Sequence, residues 1–91
     1  MKMTKVEVII HHEIKLPIEV FNAIYDYRLS VCMTFDDTQK YQVNDRVKLI
    51  HHKIKGEKEK CVYMLITAVI RGEKYAVPHG CVMLSLTKIN L

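Results

Sequence analysis

The ten residues Cys61–Ile70 constrain the fold of this chain more than any other segment. They are almost uniformly apolar and rich in β-branched side chains, which favours a strand over a helix. A strand of this composition is expected at the centre of a sheet, with both of its faces covered. The run is too short to cross a membrane, because a spanning helix needs about 18 residues. The segment therefore predicts a soluble, β-rich domain.

Length and composition fit a single small domain. The chain has 91 residues, within the range of one folded unit, so we expect one domain over residues 1–91. A charged fraction of 26% beside 49% hydrophobic residues excludes disordered and low-complexity chains. The first residues carry no apolar core typical of a signal peptide. The net charge of +4 modestly favours polyanionic partners.

Hydrophobic periodicity predicts the remaining elements. Proline in the first turn and apolar residues at helical spacing predict one helix, Pro17–Tyr27. Asn44-Asp45 is a turn that can take a positive φ and start the next strand. The element order is β-α-β-β-β-β, which predicts a mainly β domain with one helix (α+β): a small, closed or half-closed barrel plugged by the helix. Besides Cys61–Ile70, the predicted strands are Lys5–Ile10, Val31–Phe35, Arg46–Ile54 and Cys81–Ile89.

The three cysteines, Cys32, Cys61 and Cys81, are odd in number, far apart and flanked by apolar residues. This pattern predicts buried free thiols in a reducing compartment, and hence a cytoplasmic protein. Nucleophilic catalysis is disfavoured, because a thiolate is unstable in apolar surroundings.

Three segments carry a family resemblance: His12–Phe21, which opens His-Glu-Ile-Lys before the helix; Tyr41–Val47, an aromatic-Gln-Val turn and strand; and the closing strand Gly80–Leu86. In this order they resemble the ASCH domains of the PUA-like superfamily, and among them a small, phage-associated branch of uncharacterised members. The resemblance implies a PUA-like β-barrel with the element order given above. It also implies a phage or prophage protein acting in the cytoplasm of a bacterial host.

The chain departs from the family where hydrolysis is carried out. In ASCH relatives that hydrolyse acetylated cytidine, a Lys, a Thr and a Glu around the pocket carry the chemistry. Here the matching stretch 27–34 lacks the family's Gly, Glu and Arg, and only Arg28 and Ser30 stand near such positions. Arginine is always protonated and cannot replace a lysine that acts as a base. We therefore predict no catalytic residue, and Lys15 is the one lysine that a hydrolase alternative could use.

Five histidines raise the question of a metal site. They occur as His11-His12, His51-His52 and a lone His79, without the spacing of a known metal motif. Adjacent residues of a strand point to opposite faces, so at most one of each pair could join a site. The sequence therefore predicts neither a metal nor a cofactor. The histidines are interpreted as polar residues near strand ends, or, for His12, as a pocket residue that hydrogen-bonds a base or phosphate.

A basic segment supports a nucleic-acid interpretation. Residues 46–60 hold six Lys or Arg residues and two histidines against two acids. On a hairpin they could follow a phosphate backbone, while Tyr25, Tyr27, Tyr41 or Tyr75 stack on unpaired bases. The alternative is that Lys and Glu solvate an exposed hairpin and that the tyrosines are half-buried barrel residues. The predicted nucleic-acid-binding residues are His12, Lys15, Arg28, Ser30, Tyr41, Arg46, Lys48, Lys53 and Lys55.

The leading hypothesis is a non-enzymatic PUA-like module that binds RNA or another single-stranded nucleic acid. One alternative is a small phage protein that binds and inhibits a host or defence protein, which an exposed apolar patch or a dimer edge would favour. The other is an amidohydrolase of the ASCH type acting on a modified nucleoside.

Overall fold

The computed structural model of the chain describes residues 9–35, 40–52, 55–56 and 58–89. Within these residues, five strands and one α-helix follow each other in the predicted order β-α-β-β-β-β, but the first strand lies at His12–Leu16, where no strand was predicted, and a short 3₁₀ helix precedes the last strand. The strands are β1 (His12–Leu16), β2 (Val31–Phe35), β3 (Arg46–His51), β4 (Cys61–Ile70) and β5 (Cys81–Lys88); the helix α1 is Ile18–Tyr25, and the 3₁₀ helix is Glu73–Tyr75.

All five strands belong to one sheet with the order β1-β3-β4-β5-β2. β1 runs parallel to β3, with His12 opposite Val47, and the other neighbours are antiparallel. β4 is the middle strand, as predicted, and a register shift between Ile66 and Ala68 bends it against β5. The sheet forms a nearly closed barrel, and a groove between α1 and β2 marks the place where it stays open.

The helix closes one side of the core. Pro17 is its N-cap, and Glu19 lies in the first turn, where a negative charge is favourable. Phe21 and Ile24, three residues apart, point into the barrel and are fully buried. The Phe21 ring lies 4.8 Å from the ring of His51, between centroids, at the end of β3. Burial of these two side chains therefore holds the helix against the sheet.

Each strand buries one face. On β1, Ile14 and Leu16 are buried, and Glu13 and Lys15 are exposed. Val47, Leu49 and His51 of β3 point inward in the same way. The core consists of these inward residues together with Phe21, Ile24, Cys32, Tyr41, Met64, Ile66, Val82, Leu84 and Leu86.

Several predictions are confirmed in detail. β2 and β4 have the predicted bounds, and Asn44 has the predicted positive φ, 75°. The helix is shorter than predicted, because Asp26 caps it and Tyr27 leaves the helical conformation. β5 ends at Lys88, one residue early, and β3 ends at His51. Lys53 and Ile54, the predicted end of β3, lie outside the described residues.

Other predictions are wrong or remain outside the described part. Most of the predicted strand Lys5–Ile10 is not described, and Ile9 and Ile10 are not in a strand. β4 is not covered on both faces, since Cys61 and Thr67 are exposed and only Met64 and Ile66 are fully buried. One sheet curled around one helix leaves its outer face to solvent. Three buried thiols were predicted, but Cys61 is exposed and Cys81 is half-buried. The prediction is therefore confirmed for Cys32 alone.

Candidate nucleic-acid interface

The end of α1 presents an exposed tyrosine in a strained conformation. The amide of Tyr27 donates to Ile24 O at 3.2 Å, and the amide of Arg28 donates to Ala23 O at 2.8 Å. These bonds turn the chain through a left-handed residue, a position that usually carries glycine. Tyr27 occupies it with φ 62°, at a cost of about 1–2 kcal/mol for a side chain with a Cβ. Its ring is 80% exposed, so burial of the ring does not offset this cost.

Two lysines surround the tyrosines at this helix end. The Lys88 Nζ lies 3.5 Å from the centroid of the Tyr27 ring and 5.0 Å from that of Tyr25. It also donates a hydrogen bond to the carbonyl oxygen of Tyr25, at the negative end of the helix. The Lys60 Nζ lies 5.4 Å from the Tyr25 centroid. We call Tyr25, Tyr27, Lys60 and Lys88 the tyrosine–lysine cluster.

A pocket of about 300 Å³ opens beside Tyr27. Its lining includes the polar residues Tyr27, Ser30, Thr87 and Lys88. Ile24, Leu29, Met64 and Leu86 provide its apolar lining. An apolar lining with a few polar groups is the chemistry that a planar heterocyclic ring requires.

A second pocket, of about 310 Å³, lies on the Lys60 side of the helix. It is lined by Lys58 and Lys60 together with Ile18, Asn22 and His51. The His51 ring accepts a hydrogen bond at Nε2 from the Lys60 amide, at 3.1 Å, and its Nδ1 lies 2.8 Å from the carbonyl oxygen of His52. A carbonyl only accepts, so His51 carries its proton on Nδ1. The ring therefore fixes the backbone at Lys60.

Arg28 and Ser30, two predicted binding residues, lie at the same helix end. Arg28 forms an ion pair with Asp26 at 3.6 Å, and both side chains are more than half exposed. Such a pair contributes little to stability and leaves the guanidinium accessible. Ser30 lines the first pocket, and its carbonyl accepts the Leu86 amide at 2.8 Å. Both residues therefore border the tyrosine–lysine cluster.

His12 and Tyr41 form a separate cluster at the start of β1. The His12 Nε2 lies 2.7 Å from Asp45 Oδ2, and its ring lies 4.5 Å from the Tyr41 ring, between centroids. Tyr41 is buried, with 3% exposed, and its carbonyl accepts a bond from Arg71 at 3.4 Å. The Nε2 atom of His12 is therefore engaged within the chain, and the His12–Asp45 pair ties β1 to the turn before β3.

Asp45 is the centre of that second cluster. Burial favours the neutral carboxyl, but the hydrogen bond to His12 and the bond from the Gln42 amide, at 3.1 Å, outweigh it. The pKa of Asp45 is lowered as a result, with a smaller contribution from the charges of His12 and His11. The carboxylate thus stays ionised and holds the turn.

Three further predicted residues share the outer face of the sheet. Lys15 on β1 and Arg46 and Lys48 on β3 alternate with the inward-pointing residues. Lys48 pairs with Glu13 on one side and Tyr63 on the other. β1 therefore directs Lys15 away from His12, and the two residues do not share a pocket. Lys55 is exposed in the turn at 55–56, and Lys53 lies outside the described residues.

Sequence reasoning missed Lys60, Lys88 and Thr87 and included Tyr25 and Tyr27 only as stacking candidates. A signal for Lys88 was present, because the alternation of β5 places it on the same face as Leu84 and Leu86. Lys60 carried no such signal. Its amide is fixed by His51, a contact between residues nine apart.

The remaining chemistry-bearing residues form no further site. Within the described ranges, no group of three or more His, Cys, Asp or Glu side chains could hold a metal ion. Burial raises the pKa of the Cys32 thiol to about 11, so this thiol is protonated at neutral pH. One more tyrosine–lysine pair exists, in which Lys74 Nζ lies 5.5 Å from the Tyr75 centroid on the 3₁₀ helix.

The chain matches no family model and no curated protein. Among the helices of the described residues, none has the length and apolar character needed to cross a membrane.

Proposed function

We propose that the protein is a non-enzymatic module that binds single-stranded nucleic acid, RNA in particular, at the tyrosine–lysine cluster. The observation that carries the proposal is the Tyr27 ring. It is 80% exposed, held in a strained conformation and placed beside the Lys88 ammonium and a pocket. Strain that burial does not offset is typical of functional positions.

The cluster supplies the two interactions that unpaired strands require. Tyr27 offers a face for base stacking, which is worth about 1–3 kcal/mol per base, and the first pocket lies next to that face. Lys60 and Arg28 are exposed cations at the same helix end that can bind phosphates, and Lys58 lines the second pocket farther along the helix. A duplex offers no free base face, so the proposal favours single strands.

The resemblance to PUA-like ASCH domains of the phage-associated branch is consistent with this proposal, and so is a role in the cytoplasm of a bacterial host. A hydrolase of the ASCH type is less well supported, because Lys15 and His12 point to opposite faces of β1. A protein-binding role is supported by one separate observation, the exposed apolar side chains Met33 and Phe35 on β2.

The test is fluorescence anisotropy with a labelled oligouridylate of about ten nucleotides, a length matched to one small domain. Wild type is compared with Tyr27→Ala and with Lys60→Glu, at about 50 and about 200 mM salt. We expect affinity to fall about tenfold or more in each variant, and to fall about tenfold in wild type between the two salt concentrations.

The matched controls are Tyr75→Ala and Lys74→Glu, since this pair repeats the same ring and ammonium on the 3₁₀ helix. Their affinities should stay within about twofold of wild type, as expected for residues outside the interface. Equal losses from both pairs would show general electrostatic attraction. Absence of binding at low salt would remove the proposal.

A further inference from the structure

β2 is an outermost strand of the sheet, and among the described residues one of its edges has no partner strand. In the described part of the chain it pairs only with β5, from Val31 opposite Ser85 to Phe35 opposite Cys81. A strand at this position presents unpaired backbone groups, which are a template for another strand.

The side chains of β2 do not protect that edge. Val31, Met33 and Phe35 alternate to the outer face, where Met33 is 46% exposed and Phe35 71% exposed. On β5, Met33 lies opposite the half-buried Met83, Phe35 opposite the half-buried Cys81, and Val31 opposite Ser85. We call Val31, Met33, Phe35, Cys81 and Met83 the β2 edge surface. It contains no charged residue.

The other outermost strand, β1, carries charged residues that protect its edge from pairing. β1 has the same length, five residues, but its exposed positions are Glu13 and Lys15. Charges at exposed positions of an edge strand are a common means of preventing edge-to-edge pairing. The difference between the two strands indicates that the β2 edge is suited to a partner.

We propose that a second copy of this chain occupies the β2 edge, forming a two-fold symmetric dimer in which the two β2 strands pair antiparallel. With the two-fold axis at Met33, Val31 of each copy lies opposite Phe35 of the other, and Met33 lies opposite Met33. All three outer-face pairs are then apolar. Two of them join an aromatic side chain to a β-branched side chain, which is a favourable cross-strand combination.

Charge does not oppose self-pairing at this edge. The chain carries +4, which disfavours association of two copies through charged surfaces, whereas the β2 edge surface is uncharged. An antiparallel pairing at Val31–Phe35 brings five uncharged residues of each copy together and joins no like charges. The symmetric pattern of the strand also makes one surface complementary to itself, as a two-fold interface requires.

The surface is sufficient for a weak dimer. Leu29, Pro17 and Val20 border the groove beside β2 and extend its apolar area. Together with the β2 edge surface they expose roughly 400 Å² per copy, about 800 Å² in total, which is below the roughly 1,200–2,000 Å² of a stable specific interface, so backbone pairing along β2 must supply part of the affinity. We therefore expect a dimer that dissociates on dilution through the micromolar range.

Sedimentation velocity over a concentration series tests the proposal. Wild type should shift from monomer to dimer with rising concentration, and Phe35→Lys should raise the dissociation constant at least about tenfold, because a charge on an edge strand opposes pairing. Tyr75→Lys is the control, since Tyr75 is 57% exposed and lies on the 3₁₀ helix, and it should dimerise like wild type.

The register is tested by Met33→Cys in a background in which Cys61→Ser and Cys81→Ser remove the two accessible native thiols. Opposite residues of an antiparallel pair have Cα atoms about 4.5–5.5 Å apart, within reach of a disulfide. Mild oxidation should link the introduced thiols to each other, as read by non-reducing peptide mapping, whereas Thr87→Cys on the exposed face of β5 should stay unlinked.

Two results would overturn the inference. One is a monomer at every concentration, even if a foreign protein binds the same edge. The other is a dimer that is unaffected by Phe35→Lys and gives no disulfide through Met33→Cys, which would place the interface elsewhere. Nucleic-acid binding is measured separately and is independent of either result.

Discussion

The tyrosine–lysine cluster and the β2 edge surface each expose an aromatic ring to solvent, but their surroundings differ. Tyr27 is 80% exposed, with an ammonium 3.5 Å from its centroid and hydroxyl-bearing residues around the adjacent pocket. Phe35 is 71% exposed on β2, and its cross-strand neighbour on β5 is Cys81. In the described part of the chain, the other edge of β2 has no partner strand.

The difference shows that the neighbours of an exposed ring, more than the ring itself, determine the partner it fits. A ring beside cations can stack on a base while phosphates are neutralised. A ring beside apolar side chains and unpaired backbone fits another strand. We therefore propose two interfaces on the same small barrel, one at the helix end and one at the sheet edge.

Among the variants considered, Phe21→Ala should change the free energy of unfolding most. Phe21 is fully buried and holds the helix that carries Tyr25 and Tyr27, so its loss should lower the free energy of unfolding by about 3–5 kcal/mol. Urea unfolding followed by circular dichroism and by tyrosine fluorescence measures it. Both signals should shift together, because one core supports both surfaces. Separate transitions would mean that the helix and the sheet unfold independently.

The comparison predicts that a variant of one surface impairs one property and leaves the other property unchanged. Tyr27→Ala should weaken oligouridylate binding by about tenfold or more, equivalent to the loss of one stacked base, and leave dimerisation unchanged. Phe35→Lys should raise the dissociation constant of the dimer at least about tenfold and leave nucleic-acid affinity within about twofold, since it removes no contact at the helix end. Fluorescence anisotropy and sedimentation velocity, each measured on both variants, test this prediction. If either variant impairs both properties, the two surfaces are not separate.

Asp45→Asn should have a smaller effect on the free energy of unfolding. It tests the turn that holds the charged strand β1 and leaves the apolar strand β2 unchanged. Because its pKa is lowered in the folded state, its stabilising contribution is present above the unfolded pKa of about 3.9 and is lost as the pH falls through the folded value. Asp45→Asn should therefore cost about 1 kcal/mol at pH 7. Urea unfolding at pH 7 and pH 3 should show this difference shrinking in acid. A cost that is independent of pH would contradict the role of the carboxylate.

The smallest expected effect is that of Tyr27→Asn on stability. Asparagine tolerates the left-handed conformation, so relief of strain should offset the lost contact with Lys88, each worth about 1 kcal/mol. Thermal unfolding should change the free energy by less than about 1 kcal/mol, while oligouridylate binding falls as in Tyr27→Ala. A large loss of stability would show that the ring is held for structural reasons.

Much of the fold could be predicted from the sequence because its signals are local. The apolar run Cys61–Ile70 and the alternating Val31–Phe35 predict strands with the observed bounds, and Asn44 predicts the turn. The exposure of Cys61 could not be predicted, because it depends on how one sheet curls around one helix. Burial on both faces requires a second layer, which strand composition alone does not establish.

The candidate site was less predictable, because it joins residues distant in sequence. Arg28 and Ser30 were predicted and lie beside the cluster, whereas Lys88 reaches the helix end from a strand 63 residues beyond Tyr25. Lys15, Arg46 and Lys48 were predicted with them but occupy the outer face of the sheet. Basic residues in one segment therefore do not imply one binding surface.

Photo-crosslinking of a thiouridine-substituted oligouridylate, followed by peptide mapping, tests the central claim most directly. The account predicts that the main crosslinked peptide contains Tyr25–Arg28, and that Tyr27→Ala reduces the crosslinking yield there. Crosslinks concentrated at Lys74 and Tyr75, or on β2, would contradict the assignment of the tyrosine–lysine cluster as the nucleic-acid interface.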